Sequence, residues 1–125
     1  MANPSTEGGT GAGTEVLRRK WFRKIENTPV KLIDGVADHI YTVLSISWHN
    51  RLSPSMGIVL YINPEADADN DIKIFHQDAQ IIPSYGTFIF NDKLVLTGTD
   101  ELLTRSESGT DVIDVWISYI DQTFA

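Results

Sequence analysis

The densest run of groups able to do chemistry is Glu65-Ala-Asp67-Ala-Asp69-Asn70-Asp71. Carboxylates at alternate positions suit a hard cation such as calcium, which takes six to eight oxygens at about 2.3–2.6 Å. Asp78 stands twelfth counting Asp67 as first, but the sixth place holds Ile72 where an EF-hand loop needs glycine. Asp67, Asp69 and Asp71 are the metal candidates this leaves. The sequence favours the plainer account, a solvated acidic tip between two strands that discourages edge-to-edge association. No metal and no cofactor are expected.

The other reactive residue types are scattered. His39, His49 and His76 fall in three separate segments, with no spacing suited to a shared metal. No Gly-x-Ser-x-Gly is present, so a serine hydrolase lacks the strained turn that exposes its nucleophile. Glycines 8, 9, 11 and 13 form a loose glycine-rich run, but no strand precedes it and no helix follows, so it is no phosphate cradle. Most of the tyrosines and tryptophans sit inside strand-like runs, where core packing accounts for them. Tyr85, in a turn, and Trp21, among cations, are the two aromatics expected to stand exposed. The chain is expected not to be an enzyme and to take no small-molecule substrate.

Positioning these residues falls to a chain of 125 residues, 42% apolar and 22% charged, which suits one globular domain. Cysteine is absent, which excludes disulfides, thiolate metal sites and cysteine nucleophiles. No apolar run approaches the roughly 20 residues of a membrane span, and the N-terminus lacks a signal-like apolar stretch. The expectation is a protein made without export and without a membrane partner. Its charge is uneven. Residues 17–31 hold Arg18, Arg19, Lys20, Arg23, Lys24 and Lys31 against Glu26, while the last 94 residues hold four cations against fourteen carboxylates. An acidic body of this kind repels nucleic acid, which is not expected as a partner.

Residues before Val16 carry one large apolar side chain, Met1, and four of the nine glycines. Such a segment has nothing to bury alone and is expected to order against another chain. From Val16 onward the apolar period is two. In Ile40–His49, Ile40, Thr42, Leu44, Ile46 and Trp48 share one face, and Tyr41, Val43, Ser45, Ser47 and His49 the other. Ile113, Val115, Ile117 and Tyr119 repeat the alternation in a strand whose two large-residue faces predict a central place in its sheet. Shorter strands are expected at Thr28–Ile33, Gly57–Ile62, Ile72–Phe75, Gln80–Ile82, Thr87–Phe90, Lys93–Leu96 and Leu102–Arg105, with Asn91-Asp92 as a tight hairpin. Thr99–Leu103 is the one place where a short helical turn is expected. The fold class is all-β: an antiparallel, jelly-roll-like β-sandwich of eight to ten short strands. Residues 1–26 are assigned to an extended arm, glycine-rich and then basic, and residues 27–125 to the sandwich.

The order Asn27-Thr-Pro-Val-Lys-Leu32, Tyr41-Thr-Val-Leu-Ser-Ile-Ser-Trp-His-Asn-Arg51, Ile58-Val-Leu-Tyr-Ile62, then Ile81-Ile-Pro83, Leu94-Val-Leu96, Glu101-Leu-Leu103 and Asp111–Ile120 resembles small bacteriophage virion proteins of β-sandwich type. The resemblance is one of pattern across residues 27–121. It implies a structural protein of the virion, assembled in the host cytoplasm: a head decoration or cement protein, or else a neck, tail or fibre component. It also implies a homo-oligomer, with a trimer favoured, bound to the major capsid protein or other virion proteins. The charge pattern places the partner contact on Arg18, Arg19, Lys20, Trp21, Phe22, Arg23 and Lys24. A carbohydrate- or receptor-binding module using Tyr85, Trp21 and the acidic loop is the alternative from another class.

Overall fold

The computed structural model describes residues 13–75, 80–107 and 112–124. Expectations placed on residues 1–12 and on His76 and Asp78 fall outside them. Among the described residues, ten strands form two antiparallel sheets. They are β1 (Gly13–Ile25), β2 (Val30–Asp34), β3 (His39–Asn50), β4 (Met56–Asn63), β5 (Ile72–Phe75), β6 (Ile81–Ile82), β7 (Thr87–Phe90), β8 (Leu94–Thr97), β9 (Glu101–Ser106) and β10 (Ile113–Phe124). The first sheet runs β1-β10-β3, with β7 and β8 both against the far side of β3. The second runs β2-β9-β4, with β5 and β6 both against β4. The expected all-β sandwich is the observed fold.

Alternation decides which side chains meet between the sheets. Along β10, Ile113, Val115, Ile117 and Tyr119 are buried without interruption, and the strand is central, as its sequence predicts. They pack with Ile46, Trp48, Leu96, Leu32, Ile58, Leu60, Leu102 and Ile82 in one continuous core. Trp48 lies at its centre, edge-on to Phe75 at 5.5 Å and beside Phe88 at 5.9 Å between ring centroids.

Four expectations are corrected. Tyr119 pairs with Val43 and Ser118 with Ser45, so Leu44 is an extra residue, a β-bulge. The bulge inverts the faces: Tyr41 and Val43 are buried before it, Ile46 and Trp48 after it, and Leu44 is 41% exposed. Ile40, Thr42 and Leu44 thus leave the core face to which strict alternation assigns them. Asn91-Asp92 does not close a hairpin. β7 and β8 both pair with β3, at His49–Ile46 and at Val43–Ile40, so they form one edge strand broken in the middle. Residues 99–103 hold no helical turn. Gly98 turns at φ 57° into β9, and the short 3-10 turns lie instead at Pro64–Ala66 and Ala68–Asn70. Finally, the basic part of the N-terminal segment is no separate arm. β1 pairs with β10 from Gly13–Phe124 to Ile25–Ile113, because twelve-residue β10 has a second edge to satisfy and Ile25 is buried while Phe22 packs against the core.

The connections cross between sheets, and one crossing depends on glycine. Gly35 N donates to Asp100 O at 3.0 Å, and a Cβ on Gly35 would lie 2.2 Å from Gly98 O. No larger residue fits where the β2–β3 link passes the β8–β9 turn.

Candidate functional site

The seven basic-run residues are divided by the pleat of β1. Residues directly opposite in an antiparallel pair share a face. Arg18, Lys20 and Phe22 lie opposite Tyr119, Ile117 and Val115, so they point toward the second sheet. Arg19 and Trp21 lie opposite Ser118 and Trp116, so they point outward. Phe22 joins the core margin. Arg18 Nε donates to Asp121 Oδ2 at 2.9 Å, and the other oxygen of Asp121 lies 2.6 Å from His39 Nδ1. Burial pushes the neighbouring Tyr41 and Tyr119 hydroxyls above the ordinary tyrosine value, so both stay neutral.

Lys31 is also engaged, with its ammonium 2.8 Å from Glu101 Oε2. That contact holds the Glu101 carboxyl below the usual carboxylate range, with burial opposing. Arg19, Lys20, Arg23 and Lys24 have no ion pair among the described residues. β1 breaks register between Phe22 and Ile25, where Lys24 sits at φ 56°. Its N–H there donates to Asp114 Oδ1 at 2.9 Å, and Arg51 Nε lies 3.5 Å from Asp114 Oδ2.

Outward of the first sheet, the register lines side chains up in rows. One row is Trp21, Trp116, Ser47 and Ile89; another is Leu17, Ile120, Thr42 and Val95. Between them runs the polar row Arg19, Ser118 and Ser45. Leu17, Ile89, Val95 and Trp21 are 70%, 59%, 57% and 54% exposed. Scattered exposed apolar residues are ordinary, whereas these four share one face of one sheet. Trp21 stacks on Trp116 with centroids 5.7 Å apart and planes 17° apart, and the Arg19 guanidinium lies 5.6 and 5.4 Å from the two rings. An open cleft of about 450 Å³ adjoins them, lined also by Arg23, Ser47, His49 and Asp114. Tyr85 is exposed, at φ 53° in its turn.

The acidic run is built differently from a metal loop. Asp67 accepts from Asp69 N at 3.0 Å and Asn70 Nδ2 at 2.6 Å, and Asp71 holds Lys73 Nζ at 2.6 Å. No cluster of potential metal ligands occurs among the described residues. Asp67 thus spends its oxygens on the local turn and Asp71 one of its own on Lys73. Adding calcium or a chelator is expected to leave the melting temperature unchanged, whereas a metal bound only to the native state would raise it in proportion to ln(1 + [L]/Kd). A calcium-dependent rise of several degrees, read by differential scanning fluorimetry, would make Asp67, Asp69 and Asp71 ligands.

Sequence reasoning located the cations and Trp21 by composition, but not the surface they share. Trp116 and Trp21 are 95 positions apart in the chain, and only the β1–β10 register joins them.

No family model matches the chain, and no curated protein matches it. Solved structures do. A Bacillus endospore appendage protein, from a family of disulfide-linked pili, matches over 94% of this chain and 95% of its own at 10% identity, with a TM-score of 0.54. The capsid of Helicobacter pylori bacteriophage KHP30 matches over 86% and 91% at 12% identity, with a TM-score of 0.47. A pentameric capsid protein from metagenomic phage sequences matches over 92% of this chain but 62% of its own, at 15% identity and a TM-score of 0.38. What the chain shares with the appendage protein, at 10% identity, is the fold: an antiparallel two-sheet sandwich over nearly its whole length.

Proposed function

We propose that the chain is a structural protein of a virion, a decoration or cement subunit that docks on the head through its N-terminal strand and associates with its own copies. The observation that carries this is the outer edge of β1 from Val16 onward. Thirteen residues long, β1 pairs with β10 on one side and with no strand on the other among the described residues. Such an edge offers a row of unpaired N–H and C=O groups to an added strand, and main-chain pairing needs no particular side chains. Lys20, Arg23 and Lys24 discourage pairing with an identical basic edge and favour an acidic partner. The virion comes from the sequence resemblance over residues 27–121. The pilus protein offers a precedent for assembly by this fold, but this chain has no cysteine, so its own contacts are not disulfides.

The test is co-sedimentation of the purified chain with shells assembled without it, across a salt series. Binding is expected to weaken with salt without vanishing, since exposed charges are screened within about 8 Å at physiological salt while apolar and main-chain contacts are not. Lys20→Glu/Lys24→Glu protein is expected to lose most of its binding at low salt. Arg18 is spared because it already holds Asp121. Wild-type affinity in the double variant would overturn the role of the strand, and binding to isolated tails but not to shells would move the subunit to the tail.

A further inference from the structure

The outward face of the first sheet points away from the edge of β1, so strand addition there would leave it uncovered. We propose that the cleft beside Trp21, Trp116, Arg19 and Arg23 seats the acidic β4–β5 loop of a second copy, residues 65–72, in a head-to-tail contact. The proposal rests on the reading of the chain as an assembling subunit, and it names the self-contact that reading leaves open.

Charge selects the partner. Arg19 and Arg23 face the cleft without ion pairs among the described residues, and its one carboxylate, Asp114, is engaged by Lys24 N and Arg51. A face-to-face pair of such clefts would set arginine against arginine. The complementary surface lies elsewhere on the same chain. The loop carries Glu65, Asp67, Asp69 and Asp71, all exposed, and ends in Ile72, which is 57% exposed. Carboxylates beside a bare apolar side chain match guanidinium groups beside half-exposed indoles.

The loop is also held in shape. Glu65 N donates to Asp100 Oδ1 at 2.9 Å, Asp67 N to Pro64 O at 2.9 Å, and Asp67 caps the second 3-10 turn through Asp69 N. A loop already ordered loses little entropy on docking. It springs from the second sheet, whereas the cleft opens on the side of the first sheet turned away from it. The contact is therefore between copies. Because the two surfaces differ, it is heterologous, closing as a ring or running on as a filament. A ring closing at three would be the expected trimer. A saccharide is the weaker occupant, since the two indoles stack on each other with Arg19 against both, which leaves less ring face for a sugar.

The experiment is sedimentation velocity on the full chain over a concentration series at low and high salt. Wild-type protein is expected to form larger species that grow with concentration and shrink with salt. Arg19→Glu/Arg23→Glu and Glu65→Lys/Asp69→Lys are each expected to associate at least about tenfold more weakly. Mixed in equal amounts, they are expected to co-assemble in alternation, because the native loop of the first fits the native cleft of the second and the two reversed surfaces complement each other. The combined quadruple variant is expected to recover association. The two loop substitutions are fully on the surface, so they carry the test alone if the arginine variant fails to fold. A wild-type chain monomeric at every concentration, either double variant assembling like wild type, or a mixture that does not pair would each overturn the proposal. So would a monomer whose tryptophan fluorescence is quenched by an acidic polysaccharide, which would give the cleft to a glycan. A monomer that still sediments with shells would overturn this contact alone, and an assembling chain that ignores shells would overturn only the docking on the head.

Discussion

Replacing Trp48 by alanine is expected to cost about 3–5 kcal/mol of folding stability, and Ile46→Ala about 2–5 kcal/mol, while Ser45→Ala and Ser47→Ala stay within about 0.5 kcal/mol. Both large residues are fully buried on the core side of β3, and both serines lie on its outward side. Removing the indole opens a cavity against Phe75 and Phe88, and it does more. Trp48 Nε1 donates to Thr104 Oγ1 at 3.1 Å, and that hydroxyl donates to Val59 O at 2.8 Å, so a buried chain ties the first sheet to the second. Trp48→Phe keeps most of the apolar volume and loses the donor, and about 1–3 kcal/mol is the expected loss. Urea titration measures all of these, with unchanged m-values showing that the native state, not its compactness, has been altered. Equal losses on the two sides of β3 would mean that the outward face is covered within the monomer, and the docking surface would fall with it.

The same strand shows where sequence is legible and where it stops. β10 could be read whole, face by face, because its alternation runs unbroken from Ile113 to Tyr119. β3 could be read only after its bulge. Leu44 is apolar and falls on the expected period, and nothing in its composition marks the extra residue that turns it outward. The break at Asn91-Asp92 was visible as turn chemistry. Whether the chain then doubles back or carries on is decided by a third party: β3, twelve residues long, accommodates β7 and β8 end to end. The basic run was equally visible as charge, yet its division was not. Arg18, though half exposed, is paired by Asp121, a residue 103 positions later, and Trp21 is joined to Trp116 by the same strand pairing. Local composition tells which residues want a partner, and register decides which of them find one within the chain.

Asn50 is the residue for which that difference costs most, and Asn50→Asp is expected to destabilise the fold by about 3–5 kcal/mol at neutral pH. Its sequence suggests no more than the end of a strand before a proline-containing turn. In the structure it is fully buried. Its Nδ2 donates to Pro54 O at 2.7 Å and lies 3.3 Å from both Ile82 O and Pro83 O, and its Oδ1 accepts from Leu52 N at 3.0 Å. One amide thus fastens the β3–β4 crossing to the β6–β7 turn and closes that end of the sandwich. Aspartate has nearly the same shape, so no cavity arises and the effect isolates the lost donor. Ionised, it would set a negative oxygen among three carbonyl oxygens with little water to screen it. The folded state therefore raises the pKa of the new carboxyl above its unfolded value. Below the unfolded pKa both states are protonated and the penalty is small, because a neutral carboxyl can still donate one hydrogen bond. As pH rises past the ordinary carboxylate range, the unfolded state ionises freely while the folded one resists, and the penalty grows until it reaches its full value above the raised pKa. Denaturant titrations of wild type and variant from pH 3 to 8 are expected to diverge with that slope. A difference independent of pH would mean that the carboxylate finds water or a cation at this site, and that the amide's role as a donor is smaller than its geometry implies.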